Sequence, residues 1–331
     1  MFRNLLRSMK IYIVDSNGFK FSNILARGWT KMGHEVRSFH CLHMPLYDWA
    51  DIVYFDFADN NVKWLSKYAN GTQLKDNIPY DPKKTHVVRC VDIEAYAGHP
   101  GPVDWTKFDA CIFISEHIQK YCQDKFPSLK SVKQHLVRCG VETDKFHIID
   151  REPTDTFDIG FLGRLWIGKN FPGVLDVLYE CKKRCDKVKL HVRADGYDPA
   201  WWEAFCKHRI KALGLEDNIV YYDYIEDLTD WYNKLDYVIV PSFKEAFSYA
   251  AGEAAACGVQ PLILNSPEMD KTWPESWRYN TPSEAAAIIM GTDYDRKRVR
   301  QFILDNYSAE KHILETSKIC KIPTKDLKEK Q

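Results

Sequence analysis

The chain has 331 residues, enough for two domains that each bury a core of their own. Lysine plus arginine is 46 and aspartate plus glutamate is 46, so net charge gives no pull toward a polyanion, although a local basic groove stays open. Apolar residues at 45% and charged residues at 28% exclude a disordered chain, and no stretch approaches the roughly 20 apolar residues of a membrane-crossing helix.

The N-terminal stretch is short and mixed and runs into the strand-like Lys10-Ile-Tyr-Ile-Val14; it does not read as a signal peptide, and Met9 could be where the fold begins. Without an export signal, ten cysteines read as reduced thiols in a cytoplasmic protein. Cys181 and Cys185 read as a helix pair, and His40 and His43 as loop histidines that would need further ligands to hold a metal. The patterns Asn70-Gly-Thr72 and Asn306-Tyr-Ser308 fit glycan acceptors but carry no weight in the cytoplasm.

Short apolar runs then alternate with longer amphipathic ones. Strands are expected at 11–14, 36–39, 52–55, 87–91, 111–114 and 136–138, with helices at 22–32, 62–68 and 117–125 between them. The alternation resumes with strands at 158–162, 189–192, 219–222, 237–240 and 260–264 and helices at 172–185, 199–213, 228–234 and 248–257. Two more helices, 296–304 and 309–320, lead into a lysine-rich end. Repeated βαβ units predict an α/β chain of two Rossmann-like, doubly wound parallel-sheet domains, with a ligand crevice at the carboxyl ends of the strands. The polar, proline-containing stretch 150–156 predicts a boundary, giving domains at 1–150 and 151–300 and a helical tail at 301–331.

The chemistry-bearing stretch runs from Val240-Pro-Ser-Phe-Lys-Glu245 through Ala-Phe-Ser-Tyr249 to Glu253 and Gly258. A buried strand ends, a loop holds Glu245, and an alanine-rich helix carrying Glu253 stops at a glycine suited to a C-terminal cap. The first turn of that helix, around Phe247, Ser248 and Tyr249, offers backbone N–H groups to a phosphate. A carboxylate in such a crevice can accept from two vicinal hydroxyls; the competing reading leaves both glutamates as surface charges near a helix start.

Pro-Ser-x-x-Glu-x-Phe-x₅-Glu-Ala-x-Ala-x-Gly resembles the signature of the retaining glycosyltransferases of family 4, which have the GT-B fold. Gly160-Phe-Leu-Gly-Arg-Leu-Trp-Ile-Gly-Lys-Asn170 and Leu136-Val-Arg-Cys-Gly-Val-Glu-Thr-Asp-Lys-Phe146 resemble two further segments of that family, in the same order. The resemblance implies two domains facing a central cleft, with the C-terminal helix packing back on the N-terminal domain. It implies that Arg164 and Lys169 clamp the donor diphosphate, Glu245 holds sugar hydroxyls and Glu253 holds ribose hydroxyls. Phe247, Ser248 and Tyr249 would present N–H groups, and base contacts would fall near Tyr224 and Ile225. In the first domain Gly18 stands where relatives carry a glycine pair, which implies a donor-binding residue whose backbone approaches the ligand closely. Val91 occupies the place of a histidine found in many relatives, leaving Asp92 or His99 for the local polar role.

The function implied is transfer of a sugar from a nucleotide-diphosphate donor, UDP-sugar favoured with GDP-sugar as the alternative, with retention at the anomeric carbon and no cofactor. No Asp-x-Asp pattern occupies a loop suited to a metal, so metal independence is expected. The acceptor expected is a glycan; a hydroxymethylated base in DNA would instead require a basic groove from residues such as Lys83, Lys84, Arg89 and Lys107. A nucleotide-sugar epimerase and a non-catalytic donor-binding protein are the alternatives.

Overall fold

A computed structural model describes residues 7–68, 80–152, 154–291 and 293–324. The Asn70-Gly-Thr72 pattern, Pro153 of the expected linker and the lysine-rich end lie outside the described residues. The chain forms two compact units, residues 1–140 with 309–331, and residues 141–308.

In the first unit the elements run β1 (Lys10–Val14), α1 (Asn23–Lys31), β2 (Glu35–Phe39), α2 (Met44–Trp49), β3 (Ile52–Phe55), α3 (Asn60–Tyr68), β4 (Thr85–Cys90), α4 (Asp92–Tyr96), β5 (Ala110–Phe113), α5 (Glu116–Lys125) and β6 (Lys133–Leu136). Its sheet is parallel, in the order β2-β1-β3-β4-β5-β6. Strands β1, β3, β4 and β5 are buried along almost their whole length, as expected of strands covered on both faces. The sixth strand falls at 133–136, ahead of the expected apolar run 136–138. It is a polar edge strand, Lys-Gln-His-Leu, whose residues are exposed or half-buried and so give no apolar signal.

The second unit continues with β7 (Phe157–Trp166), α6 (Phe171–Lys182), β8 (Val188–Asp198), α7 (Ala200–Ala212), β9 (Ile219–Tyr222), α8 (Thr229–Asn233), β10 (Tyr237–Val240), α9 (Tyr249–Ala256), β11 (Gln260–Leu264), α10 (Met269–Thr272), β12 (Arg278–Tyr279), α11 (Pro282–Gly291) and α12 (Arg296–Tyr307). This sheet is also parallel, in the order β12-β11-β10-β7-β8-β9. Residues 141–149 belong with it because they are tied to it by hydrogen bonds. Val141 N donates to Tyr307 O at 2.8 Å, Arg300 donates to the carbonyls of Thr143 and Phe146, and Ile149 N donates to Asn233 Oδ1 at 2.8 Å.

The last helix, α13 (Ala309–Ile319), returns to the first unit. There Trp29 Nε1 on α1 donates to Ser317 Oγ at 2.9 Å, so the buried indole carries its polar edge to a partner. All ten cysteines are free thiols, and among the described residues no helix is long and apolar enough to cross a membrane.

Candidate functional site

Strand order reverses between β7 and β10, which are neighbours in the sheet although three α-helices and two strands separate them along the chain. In a doubly wound sheet the loops leaving such a pair diverge to opposite faces and open a crevice at the carboxyl ends. The loops in question carry Lys169, after β7, and Glu245, after β10.

Three bonds lock these loops together. Phe243 N donates to Gly168 O at 3.1 Å, Asn170 Nδ2 donates to Pro241 O at 3.1 Å, and Lys169 Nζ donates to Glu245 Oε2 at 2.7 Å. Asn170 is a residue that sequence reasoning missed. It caps α6 in the left-handed conformation, its side chain accepting from Gly173 N at 3.3 Å while its amide reaches across to the second loop. The signal was present: an asparagine directly before Phe-Pro-Gly is a helix N-cap followed by proline in the first turn.

Arg164 does not follow the end of the strand, as expected, but lies within β7, exposed, at the register shift between Gly163 and Leu165. Gly160 and Gly163 of this stretch have different roles. Gly163, at φ +153°, supplies a backbone conformation for the register shift. Gly160 lies in the core, where a Cβ would stand 2.3 Å from Leu235 Cδ1, so it serves packing under the sheet.

The turn into α9 is built tightly. Ser248 is its N-cap at φ 69°, an uncommon conformation for a non-glycine residue, and its hydroxyl accepts from Ala251 N at 3.4 Å. Phe247 is buried among the rings of Tyr249, Trp273 and Tyr307, and its carbonyl accepts from Trp273 Nε1 at 3.0 Å. The half-buried Glu253 accepts from the Tyr232 hydroxyl at 2.9 Å. Burial pushes the Glu253 carboxyl up to about 7, and the Tyr232 bond works the other way by favouring the ionised form.

Ile225 is half-buried in the loop after β9, two strands away from β7 in the sheet order. Beside it Tyr224 is 78% exposed and lies 5.0 Å from the Arg193 guanidinium.

In the first unit, Gly18 sits at φ +76° in a turn after β1, where the buried Asp15 accepts from Asn17 N and the Ser22 hydroxyl. Asp92 is half-buried and is the first residue of α4, directly after the buried Val91. His99 N donates to Glu94 O at 3.0 Å, and burial holds the His99 imidazole below its usual pKa. Three of the four residues named for a basic groove on DNA are engaged elsewhere. Arg89 is 2% exposed and ion-pairs with the buried Asp56 at 2.9 Å. Lys84 Nζ is turned onto the carbonyls of Asp48 and Ala50, and Lys107 lies over the Tyr80 ring. Among the described residues no group of three or more His, Cys, Asp or Glu side chains could hold a metal ion.

Residues 156–271 match the family Glycosyl transferases group 1. Mannosylfructose-phosphate synthase of Agrobacterium fabrum is 32% identical over 108 residues, covering 31% of this chain and 24% of that protein. D-inositol 3-phosphate glycosyltransferase of Paenarthrobacter aurescens is 27% identical over 128 residues, covering 38% of this chain and 29% of that protein. The chain therefore spans 24% and 29% of the length of these curated relatives. Among solved structures, HepE of Anabaena in complex with UDP and glucose superimposes with a TM-score of 0.69 at 14% identity, over 94% of this chain and 98% of that one. Sucrose-phosphate synthase of Thermosynechococcus elongatus does so with a TM-score of 0.69 at 15% identity, over 95% and 98%. At such identities these likenesses establish the fold, which is GT-B.

Proposed function

We propose that this chain, whose residues 156–271 match the Glycosyl transferases group 1 family and whose fold is GT-B, transfers a sugar from a nucleotide-diphosphate donor to a hydroxyl acceptor with retention of configuration. The observation that carries this reading is the Lys169–Glu245 contact of 2.7 Å between the two loops at the switch point. One cation and one carboxylate held together there suit a diphosphate and a sugar hydroxyl respectively. UDP is the favoured nucleotide, since the similar Anabaena structure holds UDP and glucose.

Breaking a sugar–phosphate bond builds positive charge on the anomeric carbon and negative charge on the departing diphosphate. In this reading Lys169, Arg164 and the N–H groups of the turn at Phe247, Ser248 and Tyr249 stabilise that negative charge, which makes a metal unnecessary. Glu245 accepts from sugar hydroxyls and Glu253 from the ribose, while the loop at Ile225 contacts the base. The acceptor attacks on the face the diphosphate leaves, and a diphosphate oxygen takes its proton, so no covalent nucleophile is required. Gly18 of the first unit serves the donor and Asp92 takes the catalytic polar role beside the anomeric carbon, while the first unit takes the acceptor, for which a glycan is the expected substrate.

Incubating the purified protein with UDP- and GDP-sugars, with and without oligosaccharide acceptors, tests this. Nucleoside diphosphate together with a new glycoside of unchanged anomeric configuration supports it. An isomerised nucleotide sugar would point to an epimerase. Donor binding without diphosphate release would point to a binding protein, the reading that Val91 in the histidine position favours.

A further inference from the structure

Three large apolar side chains are exposed at the end of β7 and on the loops that hold Lys169 and Glu245. Trp166 is 43% exposed, Ile167 38% and Phe243 58%. Exposed apolar surface gathered in one place marks a contact site more often than scattered single residues do. Here the placement is fixed by the backbone. The Trp166 ring lies against Gly168, where an added Cβ would stand 2.1 Å from ring carbon Cζ3 and 2.4 Å from Cη2. The carbonyl of the same Gly168 accepts from Phe243 N at 3.1 Å. One glycine thus seats the indole on one loop and ties the backbone of Phe243 on the other. Lys169 follows that glycine directly, and Glu245 lies two residues beyond Phe243, so each aromatic residue stands within three positions of one member of the ion pair.

A pyranose ring has the matching character, with hydroxyls around its rim and an apolar C–H face. Small-molecule sites commonly combine aromatic walls with a few placed polar groups that fix orientation. The ion pair can satisfy the rim, and a flat aromatic side chain can cover the face. We infer that Trp166 and Phe243 form an aromatic lip that receives the C–H face of a pyranose at this site. The inference deepens the donor-site reading above and rests on it. The same chemistry is offered by the sugar of the donor and by a sugar unit of the acceptor, and the measurement separates the two.

The test uses the full chain and titration calorimetry. Wild type is first titrated with UDP, GDP, UDP-glucose, UDP-galactose, UDP-N-acetylglucosamine and GDP-mannose, and the tightest sugar nucleotide is kept with its nucleoside diphosphate. Trp166→Ala and Phe243→Ala should bind the nucleoside diphosphate as wild type does. If the lip covers the donor sugar, they bind the sugar nucleotide about tenfold more weakly. If it covers the acceptor, sugar nucleotide binding is unchanged, but methyl glycosides bind the diphosphate complex about tenfold more weakly. Trp166→Phe should keep most of the wild-type affinity in either case. Unchanged binding of all ligands by both alanine variants overturns the lip and leaves the donor site standing. Equal weakening of the nucleoside diphosphate also overturns it, because the rings would then act only by holding the loop. Wild type that binds no nucleotide removes the donor site and the lip together.

Discussion

Lys169 Nζ donates to Glu245 Oε2 at 2.7 Å, across two loops that leave adjacent strands at the reversal of strand order. The Lys169 side chain is 32% exposed and that of Glu245 13%, so the pair lies at the water boundary and not in the core. A pair placed there contributes only about 0–1 kcal/mol to stability. Both groups keep access to a ligand, which is what a binding role needs.

Stability and activity should therefore separate at this pair. Lys169→Met and Glu245→Gln are expected to shift the thermal midpoint little while lowering turnover roughly 10²–10³-fold, the loss typical of one donor to a developing anion. Thermal scans alongside diphosphate-release rates check this. Unfolding that fully accounts for the lost rate would instead assign the pair a structural role.

If Glu253 holds the ribose as proposed, nucleotide binding should depend on pH. Its carboxyl titrates at about 7 in the folded protein, against an ordinary 4.5, because burial disfavours the charge. A ribose hydroxyl donates to the ionised form, so binding favours loss of the proton. Affinity should be full above pH 7 and weaken as pH falls, by up to about tenfold per unit. The stability effect has the opposite sign. Between 4.5 and 7 the folded state holds a proton that the unfolded chain has released, so this group erodes stability as pH rises through that window, and the loss is complete above 7. Glu253→Gln should flatten both dependences, measured by UDP titration and thermal scans across the range. Equal slopes in wild type and variant would remove Glu253 from the ribose.

Arg89 is expected to be structural. Arg89→Met leaves the buried Asp56 without its cation, and burial already pushes that carboxyl up to about 6. Loss of a buried partner costs about 3–5 kcal/mol, which chemical denaturation would register. A variant as stable as wild type would show that Asp56 simply takes up a proton at no cost.

Gly160→Ala should destabilise the second unit by about 1–3 kcal/mol, since the new methyl must displace Leu235 under the sheet. Circular dichroism melts give the size of the effect. An unchanged melt would mean that Leu235 has room to turn aside.

Much of this was legible in the sequence. The buried strands announced themselves as apolar runs, and β3, β9, β10 and β11 match the expected limits residue for residue. The stretch from Val240 to Gly258 was legible because strand, loop and capped helix each leave a local mark. Elements set by tertiary context were not. The short helices α2 and α4 lack a full amphipathic repeat, and β12 has two residues. Strands β7 and β8 run past their apolar cores to pair Trp166 with Asp198, which carries Arg164 into a strand through polar residues no periodicity could mark. The Lys169–Glu245 contact joins residues 76 positions apart, and only the sheet order brings them together.

The reading stands or falls on whether the second unit binds a diphosphate through its basic residues. The direct measurement is UDP affinity of wild type, Arg164→Met and Lys169→Met by calorimetry, at constant ionic strength. Micromolar-class binding by wild type that weakens about tenfold or more in each variant is the predicted result. Wild-type affinity in both variants would contradict it.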